Sequence, residues 1–368
     1  MSLFTLFRQT IKPKSGILPD IRSIEEKDKD FDTKEVLSAT PLVWPTWEEW
    51  IARPENAKML SDVAVNFQGN VGSCGAQSSS LNIALHNYLE DGVFIKMSAR
   101  GVYSQRVNKP NEGMYQDDIG KISISSPTVP EVLFPSGNDT DANMSNRSGW
   151  ISAFESFSRI LSSKAYFYLK DTTNIDSFAQ VLATNNPIIF TTIFGDNEWG
   201  KALVPTIDVL HSPKYGHSNC FLPRGYFTYQ GKKCLLGQDS WGTDIGIGGR
   251  RFINEDWFKG GRILPSIWTA DRKNLETFNS SHASFDKHTF DVDMKVGNRG
   301  DEVWWLQLCL SCEKDANGYL FPLVQQKPTG YYGGITRNAV MRFQAKCGLP
   351  VDGICGIAVR NALNAIYG

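Results

Sequence analysis

The sequence predicts an α+β protein with an antiparallel sheet, followed by a separate all-α domain near the C-terminal end. Three observations lead to this prediction: a long amphipathic helical stripe early in the chain, a succession of strand patterns after residue 215, and an internal repeat beyond residue 292. The chain has 368 residues. Because domains usually contain roughly 100–200 residues, more than one folded unit is expected.

The clearest predicted helix covers residues 75–92. Apolar side chains recur there with the i, i+3, i+4, i+7, i+8 spacing that forms one stripe on a helix, at Leu81, Ala84, Leu85, Tyr88 and Leu89. Gly92 follows the last of them and predicts the end of the helix.

The strand patterns begin after a short helix predicted at Ser177–Thr184, with a buried strand at Pro187–Phe194. Three later segments also predict strands: CFLPRGYFTY, KCLLGQ and RRFIN. A tight turn at Gln230-Gly231 joins the first two into a hairpin. The second half of the α+β domain is therefore predicted to be a sheet.

The segment beyond Val292 contains an internal repeat. Five pairs of identical residues share one offset of 23: Gly330 with Gly353, Gly333 with Gly356, Arg337 with Arg360, Asn338 with Asn361, and Ala339 with Ala362. Each copy reads as a glycine-bounded turn that leads into a short helix. These helices, with one more before them, predict a compact three-helix bundle from Glu302–Leu310, Thr336–Cys347 and Ala358–Ile366.

These patterns divide the chain into an N-terminal arm (residues 1–45), an α+β domain (46–270), a linker without clear periodicity (271–290) and a helical domain (291–368). The first 40 residues carry seven basic and seven acidic side chains and are predicted to form an extended arm with little core of its own. Trp44 begins the apolar material that is expected to anchor the arm on the body.

The composition is typical of a soluble globular protein, with 41% hydrophobic residues, 21% charged residues and a formal net charge of -1. Nucleic-acid binding is not expected, because it requires a basic excess or patch. No apolar run approaches the ~20 residues that span a bilayer, and the opening MSLFTLF lacks the basic lead and the length of an export signal. We therefore expect synthesis in the cytoplasm, without a signal of its own, and no membrane insertion.

The seven cysteines are an odd number, which together with the missing export signal favours a reducing environment. The predicted hairpin places Cys234 opposite Phe227 and away from Cys220, so we expect no disulfide there. In the helical domain Cys309 and Cys312 have the short spacing of a structural zinc site, but Cys347 and Cys355 are eight residues apart, so buried or half-buried thiols are expected instead. No metal or other cofactor is predicted.

Cys74 lies where the segment QGNVGSC ends and the long predicted helix begins. Unpaired backbone N–H groups and the positive end of the helix dipole favour the reactive thiolate at such a position. A thiol nucleophile also needs a base, for which His217 in YGHSN is the best candidate and His211 a weaker one. Asp239 in QDSWG ends a predicted strand and is a candidate to orient the imidazole.

These three blocks resemble the papain-like cysteine peptidases. The family's motif around the nucleophile is matched by Gln68, Gly69, Gly72, Ser73 and Cys74, its Gly-His block by residues 216–217, and its Asn-Ser-Trp-Gly block by the Asp-Ser-Trp-Gly of residues 239–242. The cysteine and the histidine are 143 residues apart, which fits the family's spacing. The resemblance implies a two-lobed fold, with Cys74 on a helical lobe, His217 and Asp239 on an antiparallel β lobe, and a cleft between them.

The resemblance also implies a role for each residue. Cys74 attacks the carbonyl carbon, His217 transfers protons, and Asp239 orients the imidazole. Gln68 and the backbone N–H of Cys74 form the oxyanion hole, where one donor typically contributes ~3–4 kcal/mol. Trp241 shields the bond between His217 and Asp239 from solvent.

Three positions depart from the family pattern: Gly75 replaces a tryptophan, Val71 replaces a disulfide cysteine, and Asp239 replaces the usual asparagine. A carboxylate accepts a hydrogen bond from an imidazole at least as well as an amide does. On this basis Asp239→Asn is expected to retain a large part of the activity.

The C-terminal segment resembles the small helical peptidoglycan-binding domains of cell-wall hydrolases. The matching sequence covers nearly all of residues 295–366. It includes GDEV (300–303), LQ (306–307), AV (339–340), FQ (343–344), GL (348–349), DG (352–353) and Gly356. The two resemblances together predict a cysteine endopeptidase that hydrolyses amide bonds in the stems or cross-bridges of bacterial peptidoglycan. Without an export signal, this architecture is typical of a bacteriophage endolysin or a virion-associated lysin.

Two alternatives remain open from the sequence: a papain-like protease of ordinary proteins, and a non-catalytic wall-binding or virion structural protein with a degenerate papain-like fold. The second alternative remains open because Gly75 and Asp239 depart from the family pattern. Papain-like enzymes are commonly made with an inhibitory leader, but residues 1–45 show no long helical pattern. We expect this arm to pack on the body and not to be a removable propeptide.

Overall fold

The computed structural model describes residues 16–30, 32–33, 41–125, 127–137, 140–151, 154, 158, 161–208, 210, 212–272, 288–311, 313 and 328–367. His211 and most of the predicted linker lie outside these residues. None of the helices within them is both long enough and apolar enough to cross a membrane.

The first part of the chain is mainly helical. Its helices are α1 (Ile24–Lys27), α2 (Trp47–Ile51), α3 (Pro54–Asp62), α4 (Cys74–Asp91), α5 (Ala99–Tyr103), α6 (Gln116–Ser125) and α7 (Asp141–Ser145). Two short strands pair in parallel across this part, β1 (Ile17–Leu18) in the arm and β2 (Met114–Tyr115) in the body.

Helix α4 confirms the long helix predicted from the apolar stripe. It ends at Gly92, which has a φ of 69° and caps the helix in the left-handed region. Its apolar face is buried against the sheet, where Leu81 and Leu85 share one core cluster with Cys220 and Leu222. This packing fixes the start of α4, and with it Cys74, relative to the strands.

The second part forms the predicted antiparallel sheet, with six strands in the order β3-β8-β4-β5-β6-β7. The strands are β3 (Ser163–Leu169), β4 (Ile188–Phe194), β5 (Tyr215–Tyr229), β6 (Lys232–Gln238), β7 (Arg250–Asn254) and β8 (Ile263–Arg272). Helices α8 (Ile175–Ala183) and α9 (Glu255–Lys259) pack on this sheet through a core that includes Phe178 and Phe258. The mixed α+β class is as predicted.

The hairpin between β5 and β6 closes at the predicted turn. Gln230 and Gly231 have φ angles of 49° and 74°, and two positive φ angles are typical of a type I′ turn. The register pairs Cys234 with Phe227, which confirms the predicted pairing. The six cysteines of the described part are free thiols.

The C-terminal domain contains the three predicted helices, α10 (Asp301–Ser311), α11 (Gly334–Lys346) and α12 (Ile357–Tyr367). Folded structure also extends into both ends of the segment that was predicted as a linker. Strand β8 continues to Arg272, and Phe290 is buried and exchanges two backbone hydrogen bonds with the Asn364 side chain.

Helices α10 and α11 of the C-terminal domain each carry a glutamine that hydrogen-bonds to the glycine turn following the helix. The Gln307 side chain accepts from the backbone N–H of Gly330 at 3.0 Å and donates to the Tyr331 carbonyl at 2.9 Å. The Gln344 side chain accepts from the N–H of Gly353 at 2.8 Å and donates to the Ile354 carbonyl at 3.1 Å. The repeat seen in the sequence is thus a repeated turn clamped by a buried amide.

Replacing Gln344 with alanine is expected to destabilise the C-terminal domain by about 2–3 kcal/mol, because the buried N–H of Gly353 loses its acceptor. Amide hydrogen exchange of α11 and α12, followed by mass spectrometry in the full chain, measures the effect. Asn361→Ala is the control, since Asn361 is exposed on α12. Equal protection in the two variants would show that the clamp does not stabilise the domain.

Candidate active site

Cys74 is the first residue of α4, and its side chain is fully buried. The helix N-terminus directs its backbone N–H groups toward this position. The next residue, Gly75, lies in a tight space, because a Cβ there would stand 3.0 Å from the Ile119 side chain and 3.4 Å from that of Ile17. The tryptophan that papain-like peptidases usually have here would not fit at position 75. The packing around the start of α4 therefore differs from the usual packing in that family.

His217 lies on β5, and its imidazole is fully buried. Its Nε2 is 2.9 Å from Oδ1 of Asp239, which directly follows β6. The other ring nitrogen, Nδ1, is buried and has no hydrogen-bond partner within the described residues. Burial by itself lowers the pKa of His217, but the charge of Asp239, the hydrogen bond to it and the interaction with Cys74 raise this pKa to about 9. The imidazolium form is therefore favoured at neutral pH.

The Asp239 carboxylate is fully enclosed by donors. Its Oδ1 also accepts from the backbone N–H of Ser240 at 2.7 Å. Its Oδ2 accepts from Nε1 of Trp199 and from Nε of Arg251, both at 2.9 Å. Burial raises the pKa of Asp239, but His217 and Arg251 outweigh it and hold this pKa well below its usual range.

Aromatic rings surround the imidazole. The Trp241 ring centroid is 4.8 Å from that of His217, in the position expected for a shield. Phe194 and Trp199 pack edge-on against the same imidazole at 6.3 and 6.1 Å. These rings exclude water from the hydrogen bond between His217 and Asp239, which strengthens it.

Gln68 is buried in the loop before α4. Its side-chain carbonyl accepts from the Ser240 hydroxyl at 2.6 Å, and its amide nitrogen donates to the Val71 carbonyl at 2.9 Å. An amide nitrogen carries two hydrogens, so this side chain has a second N–H to offer to an oxyanion. Ser240, which donates its backbone N–H to Asp239, thus connects the oxyanion candidate Gln68 to Asp239.

The N-terminal arm passes directly over the candidate nucleophile. A Cβ on Gly16 would stand 2.5 Å from Sγ of Cys74 and 2.7 Å from the Gly72 carbonyl oxygen, so only glycine fits here. The Gly16 N–H donates to the Gly216 carbonyl at 3.3 Å, and its own carbonyl accepts from the Met114 N–H at 2.9 Å. The arm therefore bridges the two lobes across the cleft.

Ion pairs and hydrogen bonds fix other described residues of the arm on the body. Arg22 pairs with Asp20 and Asp30 within the arm and with Asp117 of α6 at 3.3 Å. Trp44 anchors it as expected, since its indole N–H donates to Asp176 at 3.0 Å. A cavity of about 480 Å³ lies between arm and body and is lined by residues that include Leu18, Pro19, Tyr168, Thr191, Tyr215 and Gly216.

The structure thus brings together all five residues predicted for the site, Gln68, Cys74, His217, Asp239 and Trp241. Sequence reasoning missed Arg251, Trp199 and Gly16. The adjacent arginines of RRFIN were the available signal for Arg251, because neighbouring strand residues point to opposite faces and one of the two must point inward. Nothing in the sequence pointed to Gly16.

Comparison with solved structures identifies the fold. Xylellain, a cysteine protease from Xylella fastidiosa, matches with a TM-score of 0.52 and 17% identity over 71% of this chain and 97% of its own. The digestive procathepsin L2 proteinase from the larval midgut of Tenebrio molitor matches with a TM-score of 0.51 and 17% identity over 73% of this chain and 83% of its own. The body has the papain-like cysteine protease fold.

The C-terminal domain is identified by sequence. The family model described as "Putative peptidoglycan binding domain" matches residues 299–363. This range contains α10, α11 and most of α12, so the match agrees with the predicted resemblance. No curated protein matches the chain. The chain therefore combines a papain-like body with a peptidoglycan-binding domain.

If Cys74 and His217 act together, the raised pKa of His217 is expected to set the alkaline limit of activity. The His217 imidazolium persists below this pKa and is lost as the pH rises through about 9. Asp239→Ala removes the charge that raises the pKa, so its alkaline limit should move down by about one pH unit or more. Cys74→Ala and His217→Ala should lose nearly all activity.

The measurement is the pH–rate profile of peptide release from purified cell walls. Asp244→Ala is the control, because Asp244 is exposed in the loop that follows Asp239. An Asp239→Ala variant that matches the parent at every pH would reduce the site to a Cys74–His217 dyad.

The sequence predicts an arm that packs on the body and is not a removable propeptide, and the path of the arm over Cys74 favours an inhibitory role. Gly16→Val cannot place its side chain against Sγ of Cys74, so the arm should leave the cleft. We expect Cys74 to be alkylated by iodoacetamide at least ~10-fold faster in this variant, and deletion of residues 1–40 to have a similar effect.

Peptide-level mass spectrometry separates Cys74 from the exposed Cys347. Lys29→Val is the control, since Lys29 is exposed in the same arm, and equal rates for both variants would contradict an inhibitory role.

Proposed function

We propose that this protein is a cysteine endopeptidase that hydrolyses amide bonds in the peptide stems or cross-bridges of bacterial peptidoglycan. One observation carries the proposal: Cys74, His217 and Asp239 converge in a papain-like body that is joined to a peptidoglycan-binding domain. The body supplies the chemistry, and the C-terminal domain determines which amide bonds are nearby.

The chemistry follows from the positions of the side chains. The Cys74 thiolate attacks the amide carbonyl carbon, and its backbone N–H and the Gln68 amide hold the oxyanion. His217 gives its Nδ1 proton to the leaving amine, which departs and leaves a thioester on Cys74. The neutral imidazole then takes a proton from water, and the resulting hydroxide hydrolyses the thioester and restores the free thiolate. Asp239 keeps Nε2 protonated throughout, so that Nδ1 faces the thiol.

The C-terminal domain increases the concentration of the enzyme at the cell wall. Linking a binding domain to a catalytic one makes the second encounter intramolecular, and this raises the effective local concentration without a tighter active site. We infer that the protein is a cell-wall lysin, either a bacteriophage endolysin or a virion-associated enzyme with antimicrobial action.

Mass spectrometry of the fragments that the protein releases from purified peptidoglycan tests the activity and identifies the bond. We expect peptide fragments with new amino and carboxyl termini from the parent and none from Cys74→Ala. Release of glycan fragments by both proteins would contradict a cysteine endopeptidase. Release of nothing from walls, combined with cleavage of casein, would favour the protease of ordinary proteins.

The C-terminal domain, residues 291–368, is expected to fold alone and to sediment with insoluble cell walls. Its charges are nearly balanced, with eight basic and seven acidic residues, so binding should depend little on salt concentration. Circular dichroism checks the fold, and the fraction in the pellet at low and high salt measures the binding. A folded domain that stays in the supernatant at low salt would remove the argument for a cell-wall substrate.

A further inference from the structure

The Asp239 carboxylate is surrounded by hydrogen-bond donors on both sides. His217 Nε2 and the Ser240 N–H face Oδ1, and the Trp199 indole N–H and Arg251 Nε face Oδ2. An amide has only one acceptor atom. An asparagine at this position would have to direct its NH2 group at two of these donors.

Arg251 is buried on β7, with 1% of its surface exposed, and its two terminal nitrogens are held by backbone carbonyls. They donate to the carbonyls of Trp199 and Ala202 at 2.8 Å and of Gly200 at 2.6 Å. Among the described residues, the one carboxylate in ion-pair contact with Arg251 is that of Asp239. The buried carboxylate of Glu198 in the same loop pairs instead with Arg262 at 2.6 Å.

Removing one partner of a buried ion pair leaves an uncompensated charge, which is strongly destabilising. A neutral residue at position 239 would therefore leave Arg251 without its ion-pair partner and with backbone carbonyls as its remaining acceptors. The Arg251 guanidinium and the Trp199 indole in turn hold the Asp239 carboxylate in the rotation that points Oδ1 at His217. The positive charge of Arg251 also offsets part of the negative charge that the imidazolium experiences.

We propose that Asp239, Arg251 and Trp199 form one charge-balanced unit that orients His217, in which Asp239 and Arg251 can be neutralised together but not singly. Arg251 and Trp199 are positioning residues in this proposal, since they act through Asp239. The inference rests on the proposed role of His217 in the proposed function. It reverses the expectation from sequence that Asp239→Asn would remain largely active.

Two readouts on the full chain test the unit. The first is the NMR titration of the His217 ring nitrogens in protein labelled with 15N-histidine, with His217→Ala for assignment. The second is the rate of peptide release from purified cell walls. The variants are Asp239→Asn, Asp239→Ala, Arg251→Met and the double variant Asp239→Asn with Arg251→Met.

The matched control is Arg250→Met. Arg250 precedes Arg251 on the same strand and is also buried, but it donates to neutral acceptors, the Gln238 side chain and the carbonyls of Leu60 and Val63. A general loss of packing on β7 would affect both arginine variants alike.

Arg251→Met should raise the titration midpoint of His217 by about one pH unit, because the Asp239 charge is no longer offset. Asp239→Asn should lower the midpoint and release peptide no faster than Asp239→Ala, at least ~100-fold below the parent. The double variant should recover at least ~10-fold relative to Asp239→Asn, because it leaves no unpaired buried charge. Adding Arg250→Met to Asp239→Asn should give no recovery.

The proposal is overturned if Asp239→Asn stays within a few-fold of the parent, or if Arg251→Met and Arg250→Met leave the His217 midpoint equally unchanged. Should Arg251→Met fail to fold, the comparison of Asp239→Asn with Asp239→Ala still decides, because both keep Arg251 in place. The NMR readout needs no substrate. If the parent releases nothing from cell walls, the proposed function fails while the titration still tests the unit.

Discussion

The buried carboxylate of Asp239 is the interaction on which the rest of the site depends. It joins parts of the chain that are far apart in sequence, namely His217 on β5, the end of β6, Trp199 in the loop after β4, and Arg251 on β7. A carboxylate whose two oxygens are both held by donors can adopt only one rotation. The orientation of the imidazole is therefore fixed by the packing of the β lobe, before any substrate arrives.

The helical lobe contributes the thiol, and its placement depends on a different constraint. Helix α4 is buried along its length and presents its first residue, Cys74, to the cleft. Gly75 leaves room there for Ile17 of the arm and Ile119 of α6, where the resembling family has a tryptophan. The loss of that side chain and the seating of the arm against the helix start are thus parts of one packing arrangement.

The arm and the C-terminal domain are proposed to act on the same site in different ways. Gly16 closes the cleft by lying against the sulfur and bonding to both lobes, and the ion pairs of Arg22 keep it there. In the proposed function the C-terminal domain acts through proximity to the wall, and its buried glutamines hold the turns between its helices.

The sequence by itself determined the two folds and the five predicted site residues. The long helix, the hairpin turn and the repeat can be predicted from local periodicity and from glycine positions. The motifs around Cys74, His217 and Asp239 are each a short continuous segment of the chain. Only the tertiary structure decided what faces the far side of Asp239 and what covers Cys74. Trp199, Arg251 and Gly16 reach the site through pairings between distant segments, and no local pattern records such pairings. For the same reason the sequence suggested that an amide could replace the carboxylate, whereas the fold encloses that carboxylate with donors on both sides.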